Sequence, residues 1–460
     1  MSSWKEYKLE EVLDALIDYR GKTPTKTGFG IPLITAKVVK NGRLEQATEF
    51  IAVEDYESWM SRGLPKIGDI VLTTEAPLGE VAQLKDEKVA LAQRIVTLRG
   101  KDKILQNDFL LYLLQSKNIQ EQLEARSSGS TVKGIKQSEL RKLTLKIPSF
   151  SEQEFISGQL KALDNKIQLN TQINQTLEQI AQAIFKSWFV DFDPVKAKID
   201  ILTNGGTHAD AERAAMQVIS GKTDAELSQM QQTNLEAYKT LEKTAALFPS
   251  EMVESELGEV PKGWGIGCIG DIATAKGGYA FKSSQFEQKG NPVIKIKNIT
   301  STGNIILEDC QCINDLVANV ASKFKLSDGD FLMAMTGATV GKIGIYVSDG
   351  RCAFVNQRVA KFESKLFKNI PCWYTYNLIR RSDVSEKIIG SAQGSAQANI
   401  SSSGIEQVAI MLPIRDLIYL YQSTVSHLYK KWIANHKELL KLKMTRDTLL
   451  PKLLSGELNS

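Results

Sequence analysis

The chain has 460 residues, 42% of them apolar and 24% charged, with a formal net charge of +4. That composition supports packed cores and excludes a disordered chain. The small charge excludes a protein that coats nucleic acid through bulk basicity, since each neutralised phosphate needs its own cation. No run approaches the ~18 consecutive apolar residues of a membrane span. Residues 1–6 contain no apolar signal core. Five cysteines, an odd number, point to free thiols in a reducing cytoplasm.

Residues 1–150 read as short β-branched strands between turns, followed by a helix from Asp108 to Leu114 and a last strand ending at Pro148. The stretch "GDIVLTTEAPLGEVA" (residues 68–82) has a counterpart in "GDFLMAMTGATVGKIG" (residues 329–344). The correspondence continues in order: Ile31-Pro32-Leu33-Ile34 with Asn291-Pro292-Val293-Ile294, "LAQRIV" with "VNQRVA", and Lys146-Ile147-Pro148 with Met411-Leu412-Pro413. An offset that drifts only from 260 to 265 residues marks a duplicated domain rather than a solenoid, whose period would be about 20–50 residues. The second copy occupies residues 261–414, and each copy is an α+β domain.

Each copy is followed by a different pattern. In residues 151–193 the positions Leu160, Leu163, Ile167, Asn170, Asn174, Leu177, Ala181, Ile184 and Trp188 alternate spacings of three and four. Residues 415–460 repeat it with Tyr421, Val425, Leu428, Trp432, Asn435, Leu439, Leu442, Arg446 and Leu449. These are the seams of two long helices that pair, with polar Asn near the middle of each to fix an antiparallel register, unless each packs only on its own domain. Residues 194–260 form a polar connector with helical pieces at 209–219 and 224–244.

Motifs for catalysis are wanting. Gly337-Ala338-Thr339-Val340-Gly341-Lys342 imitates a phosphate loop, but three residues separate its glycines instead of four, and Ile343 replaces the magnesium-binding hydroxyl. No G-x-G-x-x-G opens a strand-to-helix turn. Cys310-x-Cys312 lacks the spacing and the second pair of a zinc site. Asp193-Pro194-Val195 lacks the second Pro and the aromatic residue of a methyltransferase motif. No cofactor, metal or catalytic centre is expected.

The chain resembles the specificity subunits of type I restriction–modification systems over its whole length. The resemblance rests on the domain–helix–domain–helix order and on four motifs: "FKSWFVDFDPV" (185–195), "LGEVPKGW" (257–264), "LLPKLLSGEL" (449–458), and Pro148 followed by Glu152-Gln153. One departure is that Pro413 is followed by Ile414-Arg415-Asp416-Leu417, without Glu-Gln. The resemblance implies two target recognition domains separated by two long antiparallel helices, with pseudo-twofold symmetry. It implies that each domain reads half of a bipartite double-stranded DNA target and that the helices set the gap. It further implies a non-catalytic subunit that docks two methyltransferase subunits and, through the complex, restriction subunits, with no membrane association.

Base edges are read by Arg, Lys, Asn, Gln and hydroxyl side chains, so polar residues at matching places in both copies are the DNA-contacting candidates. These are Arg20 and Lys22 with Lys276, Tyr279 and Lys282; Thr73 and Thr74 with Thr336 and Thr339; and Gln93 and Arg94 with Gln357 and Arg358. The small-residue loops add Ser128, Ser130 and Lys133, with Ser395, Gln397 and Asn399. Each set has a plainer reading as turn, structural hydrogen-bonder or surface loop. Trp188, Phe189 and Phe192 are expected to cluster at a helix end, partly against a partner subunit, and Lys441 and Arg446 to face a partner or solvent.

Overall fold

The computed structural model describes residues 4–129, 132–256, 258–391 and 399–457. It comprises two compact units, Met1–Leu169 with Lys441–Ser460, and Asn170–Leu440.

The first unit is built on an antiparallel sheet of β1 (Leu13–Asp18), β2 (Ile70–Thr74), β3 (Leu78–Gln83) and β4 (Ile95–Gly100), in the order β1–β4–β2–β3. All five residues of β2 are buried, which is why Ile70-Val71-Leu72-Thr73-Thr74 reads as a continuous run rather than an alternation. The helix Asn107–Gln115 buries six consecutive residues, from Phe109 to Leu114, and forms the centre of the core. A short parallel pairing, Leu33 with Ala90 and Ile34 with Leu91, builds the second layer. The strand Lys5–Lys8 pairs with Thr144–Ile147 and closes the domain.

The second unit repeats this plan. Strands β5 (Ala273–Gly277), β6 (Phe331–Ala334), β7 (Ile343–Ile345) and β8 (Val359–Ser364) take the order β5–β8–β6–β7. The parallel pairing recurs as Val293 with Phe354 and Ile294 with Val355, and the closing pair as Gly265–Cys268 with Ala409–Leu412.

The connector is more helical than the sequence suggests. It forms Asp193–Thr203, His208–Ser220, Asp224–Thr233 and Leu235–Ala246. Capping boxes at Thr207/Asp210 and Thr223/Glu226 start two of them. The single helix expected over 224–244 breaks at Asn234, whose side chain accepts from Ala237 N at 3.2 Å and caps the next helix instead of continuing the first. Lys198, 2% exposed, bonds Glu212 at 2.6 Å and the Phe248 carbonyl at 2.7 Å, tying the connector together.

Two long helices, α1 (Phe150–Phe189) and α2 (Arg415–Ser455), carry the seams. In the second unit Asn170 Nδ2 donates to Glu438 at 2.8 Å, Asn174 Nδ2 to the Trp432 carbonyl at 3.2 Å, and Tyr421 Oη to the Ala181 carbonyl at 2.9 Å. The partners descend along α2 as α1 ascends, so the pairing is antiparallel. In the first unit Arg446 bonds Asp164 at 3.1 Å.

The missing Glu-Gln after Pro413 has a structural answer. Gln153 is buried, accepting from Gln106 N at 2.9 Å and donating to the carbonyls of Ile104 and Pro148 at 2.9 and 3.1 Å. In the second copy Gln422 does this work, accepting from Trp373 N at 2.8 Å and donating to the Pro371 carbonyl at 2.9 Å. Gln422 lies four residues beyond the position matching Gln153, about one helical turn, so the same role survives a shift along the helix.

Candidate nucleic-acid interface

Backbone hydrogen bonds gather the polar segments of each copy at one end of its sheet. In the first copy Thr74 N donates to the Arg94 carbonyl at 2.9 Å, and Ile135 N to the Thr74 carbonyl at 3.0 Å. In the second, Met335 N donates to the Arg358 carbonyl at 3.0 Å, and Ile400 N to the Met335 carbonyl at 2.9 Å. These bonds align Thr74 with Met335, and so Glu75 with Thr336; the bridges Glu75–Gly134 and Thr336–Asn399 agree. The early basic segments join the same edge: Gln93 Nε2 reaches Thr23 Oγ1 at 3.4 Å, and Gln357 N donates to the Tyr279 carbonyl at 3.1 Å. In each copy the strand end and the Gln-Arg turn therefore meet, with Ile135 or Ile400 bonded alongside.

The candidates are not equally presented. Lys22, Arg94, Ser128 and Lys133 are exposed and Gln93 is half-buried. In the second copy Lys276, Lys282, Gln357, Arg358 and Asn399 are exposed, while Tyr279, Thr336 and Thr339 are half-buried. Tyr279 packs its ring on Phe281 and Phe324 at 4.9 and 5.6 Å. Ser130, Ser395 and Gln397 lie outside the described residues.

Several expectations need correction. Thr73 and Thr74 are 0% and 1% exposed, sealed within the sheet, and Thr73 Oγ1 accepts from Glu80 N at 2.9 Å. Arg20 is a brace: its Nε meets Asp18 Oδ2 at 3.0 Å, and a terminal nitrogen donates to the Ile135 carbonyl at 2.6 Å. Trp188, Phe189 and Phe192 are 3%, 3% and 8% exposed, and Phe248 and Trp264 of their own unit cover them, with Trp188–Phe248 centroids 5.4 Å apart. The aromatic cluster forms, but it is internal. Lys441 is exposed, whereas Arg446 is half-buried against Asp164 and Asp447.

Carboxylates that the sequence did not single out hold many of the cations. Glu75 pairs with Arg94 at 3.0 Å, Glu124 with Lys133, and Glu363 with Lys276. Lys133 lowers the pKa of Glu124 by hydrogen bonding, which keeps that exposed pair ionised. A second set of acids, on α1, meets each domain. Asp164 accepts from Tyr112 Oη at 2.8 Å, and Glu178 accepts from Tyr376 Oη at 3.4 Å and pairs with Arg380. Tyr112 and Tyr376 occupy matching helices of the two copies. Burial pushes both phenols up, so both remain proton donors. The Cys310 thiol, raised to about 11 chiefly by burial, is chemically quiet.

A duplicated α+β domain with a polar edge, carried on paired helices, defines a class of binding protein. Comparison with known proteins gives the family: the model for the type I restriction modification DNA specificity domain matches residues 1–179 and 261–427. The chain belongs to that family, whose specificity subunits are non-catalytic. It is 31% identical to the type I restriction enzyme HindI specificity subunit of Haemophilus influenzae, over 100% of both chains. It is 25% identical to the MjaIX specificity subunit of Methanocaldococcus jannaschii, covering 99% of this chain and 94% of that one. The solved S subunit of a type I restriction–modification system from M. genitalium shares the fold, with a TM-score of 0.56 at 17% identity over 98% of this chain and 96% of that chain. Among the described residues, no helix is long and apolar enough to cross a membrane.

Proposed function

We propose that this chain is the sequence-reading subunit of a type I restriction–modification complex. Each copy of the repeated domain reads one half of a bipartite duplex target. The chain docks two methyltransferase subunits and, through them, restriction subunits. The observation that carries this reading is the recurrence, at matching backbone positions, of a Gln-Arg turn with an exposed arginine beside a strand end, bridged to Gly134 in one copy and to Asn399 in the other. Such a polar edge offers donors to base edges and phosphates. Arg94, Gln93, Lys22, Ser128 and Lys133 are the candidates in the first copy, and Arg358, Gln357, Lys282 and Asn399 in the second. The acids among these cations reduce the local positive charge, so the isolated chain should bind DNA weakly and gain affinity in the complex.

The test is reconstitution with a type I methyltransferase subunit from the same organism. Methylation mapping should reveal a two-part target, and exchange of residues 1–150 for those of a relative should change one part only. A complex that methylates without a defined motif, or a swap that alters both parts, would overturn the reading.

A further inference from the structure

At the reading edge of the first copy, Glu75 Oε1 lies 3.0 Å from Arg94 Nε. The pair stands at the surface, with side chains 55% (Arg94) and 44% (Glu75) exposed. Glu75 is held in place by its bridge to Gly134. A Cβ at position 134 would come within 3.3 Å of the Glu75 Cβ and 3.4 Å of its Oε2, so a glycine there leaves the carboxylate room to lie across the loop. The second copy keeps the backbone bonds and the arginine, Arg358 for Arg94, but changes what surrounds it: Thr336 replaces Glu75 and Asn399 replaces Gly134. Among the described residues, Arg358 enters no ion pair and is exposed.

A guanidinium carries five N–H donors in a rigid fork. A carboxylate on Nε occupies one edge and leaves the terminal nitrogens facing outward, in the geometry that binds guanine O6 and N7 together. Holding the side chain before DNA arrives reduces the rotamer freedom lost on binding. The same negative charge repels phosphate, so the buttressed arginine favours a base edge over the backbone. An arginine without that buttress keeps its freedom and full charge, which suits a phosphate contact that adds affinity without sequence information.

We propose that Glu75 is a positioning residue that makes Arg94 a guanine reader for one half of the target, and that Arg358 serves as a phosphate contact. The proposal rests on the DNA-reading function argued above. It is tested in the reconstituted methyltransferase complex by motif mapping and by binding to duplexes varied one base pair at a time. Arg94→Lys keeps the charge but loses the fork, and should lower the preference for a single G·C pair by roughly 5- to 150-fold. Glu75→Thr, the second-copy residue, should loosen that same base pair several-fold and leave the other half untouched. Glu75→Gln retains an acceptor for Nε–H and should keep most of the preference, a rescue that a purely structural role would not produce. Arg358→Ala should weaken binding to all sequences alike and reduce the slope of log K against log salt by about 1.

An unchanged motif in either Arg94→Lys or Glu75→Thr overturns the guanine assignment, and a changed motif in Arg358→Ala overturns the phosphate assignment. Failure of the underlying function reads differently: in that case exchange of residues 1–150 would leave the wild-type motif as it was.

Discussion

Replacing Glu178 should destabilise the second unit far more than its position on a largely polar helix suggests. Glu178 and Arg380 are 20% and 26% exposed, and Tyr376 Oη lies between them, accepting from Arg380 at 2.9 Å and donating to Glu178 at 3.4 Å. An exposed ion pair contributes about 0.2–1 kcal/mol, and breaking a fully buried one costs about 3–5 kcal/mol. The partial burial here argues for about 2–4 kcal/mol for Glu178→Leu, because Arg380 loses its counter-charge while remaining largely covered. Tyr376→Phe leaves the ion pair intact and should cost about 1 kcal/mol. The double variant Glu178→Leu/Arg380→Met removes both charges and should cost less than the sum of the two single changes, with a coupling of about 2 kcal/mol. Urea unfolding followed by tryptophan fluorescence reports mainly on this unit, which holds Trp188, Trp264, Trp373 and Trp432 of the chain's six tryptophans. Lys262–Glu251, with side chains 60% and 59% exposed and in the same unit, is the internal control and should show about 0.2–1 kcal/mol. A Glu178–Arg380 coupling as small as the control's would refute the argument from burial.

The two buried asparagines of α1 should respond unequally. Asn170→Ala loses a bond to a carboxylate at 2.8 Å and should cost about 1.5–3 kcal/mol, while Asn174→Ala loses one 3.2 Å bond and removes an Oδ1 with no partner, costing about 1 kcal/mol or less by urea denaturation. Gly129 sits at φ +111° and a Cβ there would meet the Val132 carbonyl oxygen at 2.2 Å, so Gly129→Ala should distort the loop and reduce target methylation while far-UV circular dichroism is unchanged. Tyr374, Tyr421 and Tyr429 have phenol pKa values raised by burial. Their contribution to stability is complete below the ordinary tyrosine pKa of about 10 and declines as pH rises toward the folded values; phenolate absorbance should therefore show these groups ionising together with unfolding, after the exposed tyrosines.

The long helices and the duplication were legible because both are periodic: heptads in one case, a constant offset in the other. What the sequence hid were pairings between distant residues. Lys276 and Glu363 are separated by 87 positions, and nothing local marks Glu363 as the group that holds that lysine. Thr73 and Thr74 looked like reading residues because they are polar and differ between copies. The unbroken apolar run before them was the available signal that both faces of β2 are covered. Trp188 and its neighbours cluster as their spacing predicts, but their covering residues come from far along the chain, Phe248 from the end of the connector and Trp264 from the start of the second copy. Asn234 could have been read as a helix break from its cap-forming chemistry, and the polar composition around it concealed that.

The division of labour between backbone and side chains explains why a duplicated domain suits sequence recognition. The bonds that fix the polar edge, Thr74 N to Arg94 O and Ile135 N to Thr74 O, have counterparts in Met335 N to Arg358 O and Ile400 N to Met335 O, and none involves a side chain. The exposed residues on that framework can therefore change without disturbing the bonds that hold it. Glu75 becomes Thr336 and Gly134 becomes Asn399, and surface substitutions of this kind usually move stability by no more than about 0.5 kcal/mol. The buried supports are constrained differently. Gln153 must satisfy three backbone groups, and when its position is lost in the second copy, the role passes to Gln422 one turn away rather than disappearing. A buried unsatisfied amide or carbonyl costs about 1–3 kcal/mol, so the requirement outlasts the residue that meets it. The two copies can thus keep one architecture while their exposed edges take on different chemistry, which is the condition that the proposed reading of two unlike half-sites by a single chain requires.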